Sequence, residues 1–373
     1  MEELVIGAFG DVFRGARVLV TGNTGFKGAW LTAWLLRLGA DVYGLSKDIP
    51  TVPSAFAAMG LEGRVRQHWL DVRDAEGVSA TVAEVRPDAL FHLAAQPVVS
   101  RSYDDPLETL STNALGTANV LESLRRLNKF CAAVMITSDK CYHNEEWTWG
   151  YRENDRLGGT DIYSASKACA ETIIAAYFHS FLKSRPNLRI ASARAGNVIG
   201  GGDWTERRIV PDCFRAWSEG KRVSLRSPKS TRPWQHVLEP LSGYLALVAN
   251  LISSPELNGE SFNFGPRAEQ NVTVEEVVRD LGIRAGFDDP ARAFSGVADA
   301  PFAEAGLLKL NCDKALSALG WRAAMTYTEM IAFTGEWYAR FLSGGEGAMR
   351  DFTMEQIEAY ERTAGKEGVA WAL

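Results

Sequence analysis

The chain has 373 residues, of which 46% are hydrophobic and 23% charged, with a formal net charge of −6. This length suits one large unit or two closely joined domains, and mild acidity argues against a nucleic-acid or membrane-surface role, which a basic face would serve. The five cysteines (Cys131, Cys141, Cys169, Cys213, Cys312) are scattered, odd in number and without a Cys-x-x-Cys spacing, so neither a disulfide framework nor a metal site is expected.

Residues 1–14 carry acidic groups early and lack a basic stretch followed by an apolar core, which is unlike a secretory signal. The longest apolar stretch, 29–38, is too short to span a bilayer and reads as a core helix. A cytoplasmic protein is the expectation. From residue 16 to 137 strand-like and helix-like patterns alternate. Strands are expected at 17–21, 41–45, 66–70, 89–93 and 132–137, a helix at 28–38, and a further strand at 189–194. That order predicts an α/β fold, a doubly wound parallel Rossmann sheet with helices on both faces.

Between the first strand and first helix runs Gly22-Asn23-Thr24-Gly25-Phe26-Lys27-Gly28. The first glycine permits a tight turn, the second lets backbone approach a pyrophosphate, and the third allows close helix–sheet packing. The helix N-terminus adds unpaired N–H groups and positive dipole. A dinucleotide site follows, with Asp71 and Val72 after the third strand and Leu93, Ala94 and Ala95 after the fourth as further contacts. The acidic residue that usually meets the adenosine ribose is missing; Ser46 and Lys47 stand in that region. A basic residue there suits NADP, whereas a solvated lysine leaves NAD equally open.

Ser138-Asp139-Lys140 follows the fifth strand, and Tyr163-Ser164-Ala165-Ser166-Lys167 follows on a predicted helix. A spacing of four brings Tyr163 and Lys167 onto one helix face. There the ammonium is expected to favour the phenolate, tuning Tyr163 toward neutral pH. Residues 196–234 are rich in Gly, Pro, Arg and Trp with little periodicity, as suits a binding region built from loops. Helical patterns return at 240–252, 272–281, 327–341 and 354–362. The expected division is a dinucleotide-binding domain over 1–196, to which the chain returns around 235–265, and a smaller mixed substrate domain over 197–373, with the tail as its remainder.

The glycine spacing, the Tyr163/Lys167 pair, His92-Leu93-Ala94-Ala95 and Asn113 together resemble the extended short-chain dehydrogenases/reductases. Four blocks resemble one branch of them, the CDP-glucose 4,6-dehydratases: Thr24 to Gly28, Thr137 to Tyr142, Arg194 to Trp204 and Arg232 to Val237. The resemblance runs from about residue 15 to about 320. It implies a tightly held NAD, recycled in each turnover, and a CDP-glucose substrate oxidised at C4, dehydrated across C5 and C6 and reduced at C6. Tyr163 would be the base, Ser138 its hydrogen-bonding partner, and Lys167 the holder of the ribose. Asp139 would be the acid for the leaving hydroxyl. Related dehydratases lead one to expect a glutamate next, as the C5 base; here Lys140 stands there, either as a base or as a cation facing the enolate.

Asn197, Trp204, Arg208, Arg232 and Gln235 are the expected substrate contacts, because arginine suits bidentate phosphate binding and tryptophan can wall a pocket. Trp234 shares that description, and His236 reads as structural or substrate-orienting. A non-catalytic dinucleotide binder would dispense with the Tyr163/Lys167 pair, and a 4-epimerase would not need Asp139 and Lys140. A dehydratase for a dTDP-, GDP- or UDP-hexose is the alternative within the same chemistry. A homodimer and a role in making deoxysugars for surface polysaccharide such as O-antigen complete the expectation.

Overall fold

The computed structural model describes residues 7–297, 306–345, 347 and 349–373; the first six residues of the N-terminal stretch read above lie outside them. Seven strands form one sheet: β1 (Arg17–Thr21), β2 (Asp41–Ser46), β3 (Arg66–Trp69), β4 (Ala89–His92), β5 (Cys131–Ile136), β6 (Leu188–Ala195) and β7 (Ser261–Phe264). Their spatial order is β7-β6-β5-β4-β1-β2-β3, and all six pairings are parallel. Burial on both faces explains why the central strands read as continuous apolar runs: Val18, Leu19 and Val20 are all fully buried. The order reverses between β1 and β4. In an open α/β sheet the ligand crevice lies at such a reversal, outside the strands' carboxyl ends.

Two helices matter most to the site. Helix α1 (Phe26–Arg37) starts from Gly25, whose position offers no side-chain cap to the first N–H groups. Helix α2 (Ile162–Tyr177) is capped by Asp161, which accepts from Ser164 N at 2.9 Å and from Ser164 Oγ at 2.6 Å. That cap satisfies orphan donors and sets Tyr163 in the first turn. A third helix, α3 (Leu238–Ser253), covers β5 and β6.

Several segments differ from the sequence expectation, among them β7 (Ser261–Phe264), where no strand was expected. A helix at Ile209–Ser218 lies in the stretch read as loop; its Pro211 and the surrounding Gly, Arg and Trp conceal a ten-residue amphipathic segment. The helix expected from 272 begins at Val274, because Val272 and Thr273 pair with Arg232 and Thr231. Thr273 forms a capping box with Glu276. The chain's last long helix, α4 (Met349–Lys366), packs against α1, where Trp34 Nε1 donates to Glu361 Oε1 at 2.8 Å; beside them the two ends of the chain meet, with Phe9 stacked on Trp371 at 4.7 Å.

The C-terminal segments are pinned by a buried carboxylate. Glu239 on α3 accepts from Ala324 N at 3.0 Å, Met325 N at 2.6 Å and Tyr360 Oη at 2.8 Å. Burial raises its pKa to about 7, against which those donors pull. An acid whose folded pKa lies above its unfolded value binds more protons folded than unfolded. The stability that Glu239 contributes therefore falls as pH rises from about 4.5 toward 7 and levels off above that. Across that range the wild type should lose melting temperature relative to Glu239→Gln, whatever the buried His92 and His236 add equally to both proteins. Equal slopes in the two proteins would refute the assignment.

Candidate active site

The strands' carboxyl ends open into a cleft of about 1350 Å³, larger than the roughly 300–1,000 Å³ of a single-ligand pocket. On one side lies the turn after β1. Gly22 has φ +73°, and a Cβ there would stand 2.7 Å from Ala94 N; a Cβ on Gly28 would stand 2.0 Å from Gly22 O. These contacts explain the glycines, and with the uncapped start of α1 they form a cradle suited to a pyrophosphate. Gly22, Thr24, Gly25, Phe26, Lys27 and Gly28 line the cleft, as do Asp71, Val72, Leu93, Ala94 and Ala95. The residues present therefore fit a dinucleotide.

Asn23 does not line the cleft. It is fully buried, accepting from Ser46 Oγ at 2.8 Å and donating to Gln67 Oε1 at 2.8 Å, so it ties the turn to β2 and β3. Ser46 is spent in the same network, and Thr24 Oγ1 donates to Asp48 O at 2.6 Å. Lys47 lines the cleft with its ammonium 3.3 Å from Glu108, which Arg101 also contacts. Asp71 is gripped by Arg73, whose hydrogen bonds hold its carboxyl below the usual range.

Facing the turn, β5 ends and the chain bends through Ser138, Asp139 and Lys140. Ser138 Oγ donates to Asp139 Oδ1 at 2.8 Å, and Lys140 Nζ lies 3.3 Å from Asp139 Oδ2. Asp139 is nearly fully buried, while Lys140 is partly open to the cleft. Tyr163 and Lys167 reach the same space from α2, so all five predicted catalytic residues converge.

The expected tuning of Tyr163 by Lys167 needs correction. Burial pushes the phenol up to about 12, and the cation acting against this is Arg208, helped by the Ser138 hydroxyl; Asp139 pushes the other way. Lys167 Nζ sits 5.9 Å from the Tyr163 ring centroid, and its own pKa is lowered by burial to about 8. Helical spacing put the pair on one face, but burial is the largest influence on both groups.

Arg208 is anchored to the buried Asp203 at 3.1 Å and reaches Pro97 O at 3.3 Å. Its influence extends to Lys27 as well, whose pKa falls to about 8 through burial and then through the charges of Arg208 and Lys167. Asn197, Trp204, Arg208 and Arg232 line the cleft, as does Trp234. Trp204 is also packed edge-on against Tyr338 at 5.2 Å, and Trp234 Nε1 donates to Val272 O at 3.1 Å. Gln235 is turned into the core, donating to Phe264 O at 2.9 Å, and does not line the cleft. His236 is buried beside Trp30, held neutral with a pKa lowered to about 3 by burial. His92 is likewise buried and lies 2.7 Å from Thr21 Oγ1. Asn113 accepts from Gln96 N at 2.8 Å and donates to Ser166 Oγ at 2.9 Å, joining the β4 loop to α2. Sequence reasoning gave no role to Asp203 or Glu171; the latter's position four residues after Lys167 continues the same helix face and was the available signal. Among the described residues no cluster of His, Cys, Asp or Glu could hold a metal ion.

A family profile described as GDP-mannose 4,6 dehydratase matches residues 19–334. The CDP-glucose 4,6-dehydratase of Salmonella typhimurium is 45% identical over 338 residues, covering 90% of this chain and 93% of that one. A dTDP-glucose 4,6-dehydratase from Xanthomonas campestris is 25% identical, covering 91% of this chain and 98% of that one. Among solved structures, the dTDP-glucose 4,6-dehydratase of Streptomyces venezuelae with NAD bound superposes with a TM-score of 0.74. It is 23% identical and covers 87% of this chain and 97% of that one, a likeness of fold.

Proposed function

This chain belongs to the GDP-mannose 4,6-dehydratase family, and we propose that it converts CDP-D-glucose to CDP-4-keto-6-deoxy-D-glucose and water. The observation that carries this reading is the convergence of Ser138, Asp139 and Lys140 with Tyr163 and Lys167 in a cleft that also holds the glycine turn. The 45% identical relative supports cytidine as the base. The cofactor is NAD, held tightly and regenerated within each turnover; the pairing of Lys47 with Glu108 gives no added support to a 2′-phosphate.

NAD, held by the Gly22–Gly28 turn and Lys167, would supply reversible two-electron hydride chemistry to the sugar. The chain's residues handle the protons. Tyr163, acting as the phenolate, takes the proton of the C4 hydroxyl, Ser138 hydrogen-bonds the same oxygen, and Lys167 orients the cofactor ribose. The C4 ketone acidifies the C5 proton. Asp139 in its protonated form gives a proton to the C6 hydroxyl, which leaves as water while the C5–C6 double bond forms. Lys140 acts on C5, either removing its proton when neutral or, as a cation, stabilising the enolate. Asn197, Arg208 and Arg232 bind the nucleotide diphosphate, and Trp204 walls the pocket.

A cytoplasmic homodimer completes the proposal. Among the described residues no helix is long and apolar enough to cross a membrane. Leu107, Leu115, Ile162 and Phe181 are exposed apolar side chains on α2 and on segments that contact it, which supports seating a second copy against this side. The product would serve deoxysugar synthesis for surface polysaccharide such as O-antigen.

Incubation with CDP-, dTDP-, UDP- and GDP-hexoses, read by mass spectrometry, tests the reading. Loss of one water from CDP-glucose is expected. Preference for another hexose nucleotide would move the assignment within the family, and an unchanged mass with altered C4 stereochemistry would make the protein an epimerase.

A further inference from the structure

Beneath the cleft, Glu171 follows Tyr163 and Lys167 on α2 at the same four-residue spacing, and its side chain is only 2% exposed. Both its oxygens are occupied. One accepts from Thr137 Oγ1; the other accepts from Ser192 Oγ at 2.9 Å and from Arg194 Nη2 at 2.7 Å. Arg194, equally buried, donates through Nη1 to Tyr142 Oη at 2.8 Å and to Glu153 O at 2.9 Å. Tyr142 in turn donates to Asn263 Oδ1 on β7 at 2.8 Å. Burial opposes ionisation of Glu171, but Arg194 and the hydroxyl donors outweigh it and hold its carboxyl below the usual range.

The arrangement has a particular geometry. Thr137 immediately precedes Ser138, and Tyr142 lies two residues after Lys140, so the Glu171–Arg194 pair grips the Ser138–Lys140 bend from both ends. The same glutamate is part of the helix that presents Tyr163 and Lys167. Buried ion pairs contribute little net stability, because desolvation cancels most of the attraction. What this one does well is hold two catalytic segments, from different elements, at one separation.

We propose that Glu171 is a positioning residue which, through Thr137 and Arg194, sets the distance between the Ser138–Lys140 bend and Tyr163. The proposal rests on the dehydratase reading above. Thr137→Val deletes the hydroxyl link while keeping shape and the ion pair, and so avoids stranding Arg194 as Glu171→Gln would. In the NAD-loaded protein with CDP-glucose, Thr137→Val should lower kcat about 10-fold with KM changed less than about 2-fold, since small misplacements of reacting groups act on the chemical step. Thr137→Ser should restore kcat. Wild-type kcat in Thr137→Val, or no rescue by serine, overturns the proposal. If the wild type itself releases no water from CDP-glucose, the dehydratase reading fails separately. The positioning claim is then read from crystal structures of both proteins: a shift of Ser138 relative to Tyr163 of about 0.5 Å or more sustains it, and an unmoved bend overturns it.

Discussion

Tyr163→Phe is expected to lower kcat by about 10²–10⁴ while leaving nucleotide-sugar binding near wild type, the range for loss of a general base. The phenol is buried at the cleft wall, where burial raises its pKa to about 12 and Arg208 and Ser138 oppose that rise. Deleting only the hydroxyl keeps the ring's packing, so the loss should appear in kcat and in the rate of cofactor reduction alike. Stopped-flow absorbance of reduced nicotinamide measures the latter. A variant that reduces its cofactor at the wild-type rate would remove Tyr163 from the C4 step.

The second large effect separates oxidation from elimination. Lys140→Ala should still reduce bound NAD with CDP-glucose but stall before water loss, so that reduced nicotinamide accumulates and product falls about 10²-fold or more. The basis is position: Lys140 follows Ser138 and Asp139 in the bend, with its ammonium 3.3 Å from Asp139 and partly open to the cleft. Normal turnover in this variant would sink the assignment. Lys140→Arg then divides the two chemical roles. Arginine keeps the charge but cannot be deprotonated, so recovered elimination indicates an enolate-facing cation and continued stalling indicates a C5 base.

Much of the fold was legible because its signals are local. The central strands are apolar runs bounded by polar or glycine residues, and alternation with helices leaves a parallel sheet as the arrangement that buries them, with the polar β3 at its edge. The glycine turn was legible for a related reason: backbone can come within 2.7 Å of a Cβ position only where no Cβ exists. The short helix at Ile209–Ser218 escaped notice because its stabilisation comes from neighbours it meets only after folding, including the strand at Val223–Leu225. Propensity in a segment of that length is too weak to announce it.

The site divides along the same line. Tyr163 and Lys167 stand at a helical spacing, and Ser138, Asp139 and Lys140 in a block marked by its resemblance to known dehydratases, so the sequence by itself named the candidate groups and led one to expect a dinucleotide beside them. Asn23 and Gln235 show the limit: motif membership named them, yet both side chains turn away from the cleft into buried hydrogen bonds. The sequence could not say which charge acts on which. Arg208, distant in the chain, is the cation that bears on Tyr163, and Glu171 with Arg194 ties the Ser138–Lys140 bend to α2. Spacing along a chain fixes which side chains share a face, but field strength depends on distance and burial between elements far apart in sequence. Only the tertiary structure sets those.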